Sequence, residues 1–218
     1  MSEAGMISTV PVIKLYAVDN ARQGFIDMAD FNALLEKILE NRRIRPDVRD
    51  IIEFLYHAGW RSIEAEAFEW SWIDGNMIRV PKEIAKNKKD RAFPIIGTLI
   101  DILERRQKLR RLDCPYVFHR NGKPIRSFRK AFKAAAKEVG YDGLLPHDMR
   151  RSAIRNFRKA GLSESDGMKL SGHRTRSVYD RYNIFDDRDL AESMNRVQEH
   201  LKKEAENRKV VPLKRETA

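Results

Sequence analysis

The segment from Leu145 to Tyr182 constrains this 218-residue chain more than any other. It opens with Leu145-Pro146-His147-Asp148-Met149-Arg150-Arg151-Ser152 and closes with Ser171-Gly172-His173-Arg174-Thr175-Arg176-Ser177-Val178-Tyr179-Asp180-Arg181-Tyr182. Pro146 suits the first turn of a helix, where a missing N–H costs nothing. His147 and Arg150, three apart, then share a face. Gly172 opens a turn, and Tyr182 lies beyond it. A fold that joins the two stretches brings two imidazoles, a guanidinium and a phenol to where a phosphodiester could be attacked. A phosphate held there would meet a permanent positive charge beside a proton carrier.

The charge of the whole chain points the same way. A formal net charge of +11 calls for a polyanionic partner, and nucleic acid or an anionic membrane would serve. The apolar runs fall far short of the roughly 20 residues a membrane span needs. The N-terminus lacks the pattern of a secretory signal, which leaves the cytoplasm as the expected compartment. With 42% hydrophobic residues the chain can bury a core, and its length suits one or two domains. The single cysteine, Cys114, excludes an internal disulfide and reads as a packing residue in a reducing compartment. No Cys/His cluster has zinc spacing, so no metal is expected.

Periodicity predicts a mainly α chain with one small β-element. Met1 to Arg22 show no sustained pattern and read as a leader or the end of a linker. Asp30 is placed to cap a helix from Phe31 to about Leu39, with Phe31, Leu34, Leu35 and Ile38 on its apolar face. A second helix starts at Pro46 and Asp47, carries Val48, Ile51, Ile52, Leu55 and Tyr56 on a stripe, and ends at Gly59. Ser62 is expected to cap a third, through about Glu69. Met77–Val80 and Ala92–Ile95 read as strands around a polar loop from Lys82 to Arg91. Thr98 opens a helix to about Arg111. Tyr116–Phe118 reads as a short buried strand, and Asn121-Gly122 as a turn. Helices follow at about Ser127–Val139, His147–Ala160, Glu164–Ser171 and Leu190–Asn207.

H-x-x-R, then G-H, then Tyr182 at this interval resembles the tyrosine recombinase (phage integrase) signature. Upstream, Gly59-Trp60-Arg61-Ser62-Ile63-Glu64 resembles the first box of that family, which carries an Arg and an acidic partner. Lys86-Asn87-Lys88-Lys89-Asp90-Arg91-Ala92-Phe93-Pro94-Ile95 resembles its β-hairpin segment, which carries a catalytic Lys. The ordered set covers roughly Gly24 to Arg196. The resemblance implies the family's catalytic-domain fold, mainly α with a small antiparallel sheet (α+β). It implies that domain over residues 24–200, between a leader or linker remnant at 1–23 and a basic tail at 201–218.

The roles it implies follow motif by motif. Tyr182 is the expected nucleophile; its ordinary pKa near 10 means it needs help to ionise, and neighbouring guanidiniums favour the phenolate. Tyr179 is the local competitor and reads as packing. Arg61 and Arg150 would clamp the scissile phosphate, their planar forks matching its oxygens as Lys cannot. His147 is the acid/base, and His173 is expected to hydrogen-bond the phosphate and position the tyrosine. Lys86 would protonate the leaving 5′ oxygen, with Lys82, Lys88 and Lys89 as close alternatives. Glu64 would orient Arg61 or His147 from behind. Arg151, Arg155 and Arg158 read as contacts to DNA backbone or solvent, and His57, His119 and His200 carry no assigned role.

The expected activity is cleavage and rejoining of DNA through a 3′-phosphotyrosyl bond, without metal or organic cofactor, to integrate or excise a mobile element. The resemblance implies double-stranded DNA as partner, a homo-tetramer assembled on it, accessory bending or directionality factors, and a nucleoid-associated location. Leu190, Met194, Val197 and Leu201 form a stripe for docking on a neighbouring protomer or for packing in their own domain. Complete integrases carry a DNA-clamping domain before the catalytic one, so this chain reads as a catalytic fragment or a short protein. Two other classes remain: a type IB topoisomerase-like nicking-closing enzyme, and a non-catalytic DNA-binding accessory protein. A basic RNA- or membrane-surface protein would leave the motif order unexplained.

Overall fold

The computed structural model describes residues 24–40, 46–84, 90–126, 128–182 and 187–207. Helix α2 (Pro46–Ala58) is the centre of the molecule, with α1 (Met28–Glu40), α4 (Thr98–Gln107) and α6 (Pro146–Lys159) packed around it. Its predicted stripe is buried, and Phe54 and Ala58 are buried as well. The expected apolar face of α1 is buried too. That helix begins earlier than expected: Asp30 lies inside the first turn and accepts the Tyr141 hydroxyl instead of capping.

Gly59 ends α2 in the left-handed region (φ +64), and a Cβ there would come within 3.0 Å of the Ala153 Cβ on α6. The next helix, α3 (Ser62–Glu66), is shorter than its expected span to Glu69. Ser62 does not cap it; the Glu64 carboxylate accepts the Arg61 N–H at 3.2 Å instead. After a 3₁₀ turn at Trp70–Trp72, strands β1 (Ile73–Asp74), β2 (Met77–Val80) and β3 (Arg91–Pro94) form an antiparallel sheet in that order. The β2–β3 register pairs Val80 with Arg91, which closes the hairpin where its loop begins.

Helix α4 stops at Gln107, short of Arg111. Instead of a strand at Tyr116–Phe118, Tyr116 makes an isolated bridge to Glu69 and the pairing starts with β4 (His119–Arg120) and β5 (Lys123–Pro124). Asn121 (φ 51) and Gly122 (φ 81) make the turn between them, as a two-residue hairpin requires. Then come α5 (Arg129–Glu138), α6, α7 (Glu164–Ser171), the short α8 (Arg176–Asp180) and α9 (Asp187–Asn207). Residues 201–207 continue α9. The core is dominated by Phe54, Trp60, Phe68, Trp72, Phe93 and Phe118 in mutual ring contact, each burial contributing about 1.5–3 kcal/mol. Cys114 is buried.

Candidate active site

The site forms where the end of α2, the start of α6 and the turn after α7 converge. Pro146 occupies the first turn of α6, and the fully buried Asp148 accepts the Leu145 N–H at 2.8 Å, which fixes the helix start. His147 and Arg150 project from that turn. Arg150 is 1% exposed. Its Nη1 donates to the Gly59 carbonyl at 2.7 Å, so the glycine that lets α2 meet α6 also receives the guanidinium. Its Nη2 lies 3.0 Å from His173 Nε2 and 3.2 Å from Nδ1.

Tyr182 sits among these groups. Its hydroxyl is 3.0 Å from His147 Nε2. Its ring centroid is 4.9 Å from that of His173 and 5.7 Å from that of His147. The guanidinium carbons of Arg150 and Arg151 lie 5.7 and 5.4 Å from it. Tyr179 is 3% exposed, with its hydroxyl against the Gly167 backbone and its edge on His173. Burial raises its pKa.

Glu64, 1% exposed, organises the positive charge from below. Its Oε1 accepts from Arg61 Nη1 at 3.0 Å and its Oε2 from Arg91 Nη2 at 3.0 Å. Burial alone would raise its pKa; Arg91, the Arg61 N–H and the Arg61 guanidinium outweigh that and hold it below the usual carboxylate range. Of the two residues named for it by sequence, Glu64 hydrogen-bonds Arg61 and not His147.

His147 is exposed along one side, yet the protein packed around its ring lowers its pKa, and Arg150, Arg151 and Arg61 lower it further. It is therefore neutral near pH 7, with a ring nitrogen able to take the Tyr182 proton. His173 is driven down to about 2, first by burial and then by Arg150, Arg61 and Arg91. Arg150 itself is pulled down to about 9 by burial, then by Arg61, which still leaves it charged near neutrality.

Arg61, Glu64, His147, Arg150, His173 and Tyr182 thus share one site. Lys86 lies outside the described residues, as do Lys88 and Lys89. Arg155 and Arg158 need correction: instead of meeting DNA or solvent they converge on Asp189 of α9, at 2.8 and 2.9 Å. Arg151 is 8% exposed, donates to Asp148 at 3.2 Å and lies beside the Tyr182 ring.

Sequence reasoning missed Arg91 as a site residue. Its guanidinium lies 4.8 Å from the Trp60 ring centroid, pairs with Glu64 and fills the space under Gly172, where a Cβ would fall 2.0 Å from its Nη1. The signal was present. Alternation in β3 puts Arg91 on the same side as Phe93, and both are buried.

The Phage integrase family model matches residues 25–189, a span that contains Arg61, Glu64, Lys86, His147, Arg150, His173 and Tyr182. No curated protein sequence matches the chain. Among solved structures it is similar to XerA recombinase, with a TM-score of 0.66 at 17% identity over 86% of this chain and 66% of that one. It is similar to the Tn1549 transposon integrase in complex with transposon right end DNA, with a TM-score of 0.65 at 17% identity over 83% and 69%. It is also similar to a lambda integrase dimer bound to a COC′ core site, with a TM-score of 0.63 at 18% identity over 75% and 48%. At these identities the likeness is one of fold. The chain spans about half to two thirds of the length of these solved chains.

Proposed function

Because the chain belongs to the phage integrase family, we propose that it is the catalytic part of a site-specific DNA recombinase that cleaves and rejoins DNA through a 3′-phosphotyrosyl intermediate, serving integration or excision of a mobile element. The observation that carries this reading is the 3.0 Å contact between Tyr182 Oη and His147 Nε2, made beside the guanidiniums of Arg150 and Arg151.

In this scheme Tyr182 Oη attacks phosphorus as its proton passes to neutral His147. The phosphorus–oxygen bond to the 5′ side breaks, leaving the phosphate on the tyrosine. Lys86 supplies the proton that makes the departing oxygen a 5′-hydroxyl. Negative charge on the non-bridging oxygens is met by Arg61 and Arg150. Glu64 holds Arg61 in place, and the neutral Glu64–Arg91 pair keeps the hairpin against the site. Rejoining runs the same steps backwards, with no external energy source, because the phosphodiester is exchanged for another phosphoester.

Assembly is part of the proposal. Lambda integrase has been solved as a tetramer bound to a Holliday junction. In this chain Leu190, Met194, Val197 and Leu201 are 48–58% exposed along α9. That stripe suits a neighbouring protomer on DNA. No helix of the described residues is long and apolar enough to cross a membrane.

The test is covalent trapping on nicked suicide duplexes that carry candidate attachment sequences, read on a denaturing gel. A wild-type adduct that is lost in Tyr182→Phe is expected. An adduct that survives the substitution would move the nucleophile elsewhere and overturn the reading.

A further inference from the structure

Ser171, the last residue of α7, is fully buried two positions before His173. Its Oγ lies 2.6 Å from the Gly167 carbonyl oxygen and 2.7 Å from His173 Nδ1. A hydroxyl has one hydrogen to give. Two oxygens 2.6 Å apart with no hydrogen between them would repel, so that hydrogen points to Gly167. The Nδ1 contact must then use the imidazole's own hydrogen, with Ser171 accepting. Nε2 is left with its lone pair; Arg150 Nη2, 3.0 Å from Nε2 and 3.2 Å from Nδ1, lies against the ring without choosing between them, so the assignment rests on Ser171. The hydrogen count therefore assigns His173 as the neutral Nδ1–H form.

A seated phosphate changes that count. A phosphate oxygen is a stronger acceptor for Arg150 than a neutral ring, so Nη2 is drawn to it. Nε2 then faces an acceptor with a lone pair of its own. The ring cannot easily swing away. Tyr179 meets it edge-on at 5.5 Å, Tyr182 lies at 4.9 Å, and Arg91 fills the space beneath Gly172. A change of proton position resolves the clash: Nδ1 releases its proton, Nε2 gains one through solvent, and the ring stays neutral. Ser171 then turns its hydroxyl from Gly167 to donate to Nδ1, and Nε2–H donates to the phosphate.

We propose that Ser171 is a positioning residue that decides which nitrogen of His173 carries the proton: Nδ1 in the DNA-free protein, and Nε2 once a phosphate is seated. Its phosphate-bound half rests on the recombinase reading above; its DNA-free half does not. A hydroxyl can fill both roles because it can donate or accept, and no aliphatic side chain can do either.

Nitrogen-15 NMR of labelled histidine tests this on the wild-type chain, first alone and then with inorganic phosphate titrated in. The expected spectra show Nδ1–H without phosphate and Nε2–H at saturation. Nε2–H in the free protein, or one tautomer throughout, would overturn the proposal. Ser171→Ala should no longer respond to phosphate. Its trapping on nicked duplex should be roughly tenfold slower, the scale of one lost hydrogen bond, and Ser171→Thr should recover most of that rate. Trapping by Ser171→Ala at the wild-type rate would also overturn it. Failure of the recombinase reading looks different, because then the wild type itself forms no Tyr182-dependent adduct while the free protein still reports its tautomer.

Discussion

The two ends of α6 carry the same residue type to opposite ends. Arg150, near the start, hydrogen-bonds a backbone carbonyl and a neutral imidazole, and among the described residues no carboxylate lies within ion-pair distance of it. Arg155 and Arg158, near the finish, close with Lys159 on the single carboxylate of Asp189. On the proposed reading the first end keeps its positive charge for a phosphate, while the second uses its charge to hold α9 to the domain. A buried guanidinium can serve an incoming anion when its surroundings hold it in place without neutralising its charge.

The largest effect should come from breaking the ion-paired end. Asp189 is 3% exposed, and Asp189→Ala leaves three cations without their common partner. Loss of one side of a buried ion pair costs about 3–5 kcal/mol. Urea unfolding should show that loss, while trapping per folded molecule stays at the wild-type level. A matching fall in trapping would mean that the two ends of α6 are not separate in function.

The charged end should respond the other way. Arg150→Lys keeps a cation but loses the planar fork that reaches the Gly59 carbonyl and His173 together. Trapping should fall about a hundred- to a thousandfold, as when one preorganised donor is removed from a developing charge. The unfolding midpoint should move less than in Asp189→Ala. A variant that keeps its rate would assign the phosphate to Arg61 alone.

Why one end of α6 was legible in the sequence and the other was not follows from how far each signal reaches. His147 and Arg150 sit in a local pattern, a proline start and an i, i+3 pair, and the apolar faces of α1 and α2 are equally local. Arg155 and Arg158 look like any surface arginine until Asp189 on α9 is brought back to them by the tertiary fold. Helix ends were misjudged for a similar reason. At α3 the cap is a carboxylate three residues inside the helix, on Glu64, rather than the hydroxyl of Ser62. Arg91 escaped notice because its partners, Trp60 and Glu64 on one side and Gly172 on the other, come from two segments distant from it in the chain. Its alternation with Phe93 was the one local clue.

Acid should sharpen the contrast by a smaller amount for each pH unit. His173 stays neutral down to about 2 in the folded chain, because burial and then Arg150, Arg61 and Arg91 oppose a further charge; its ordinary value is 6.5. Below 6.5 the unfolded chain binds a proton that the folded one refuses, so stability falls as pH drops through this window towards 2. The slope from this residue approaches about 1.4 kcal/mol per pH unit. His57 and His119, also lowered chiefly by burial, add the same sign. In His173→Asn the slope measured by urea unfolding should become shallower, and an unchanged slope would show that the ring does not resist protonation. His147, the proposed base, is also lowered, so the acid limb of the trapping rate should lie below the ordinary histidine range.

The smallest effect on the isolated chain decides what α9 is for. Its first turn is pinned through Asp189, and Arg196 donates to the Lys159 carbonyl. Beyond that the apolar stripe stands in solvent, with Leu201 52% exposed. The pattern alone left two readings open, packing in its own domain or docking on a neighbour, because apolar spacing reports a face and not what covers it. Among the described residues nothing covers the stripe, and docking is the reading we propose for it. Leu201→Glu should therefore change unfolding stability by no more than about 0.5 kcal/mol, as at other exposed positions, and should leave single-strand trapping intact. It should reduce cross-linked multimers on duplex DNA, because an added carboxylate must then be desolvated at the interface. A loss of several kcal/mol in the free chain would put Leu201 back inside its own domain, and unchanged multimers would remove the stripe from the assembly.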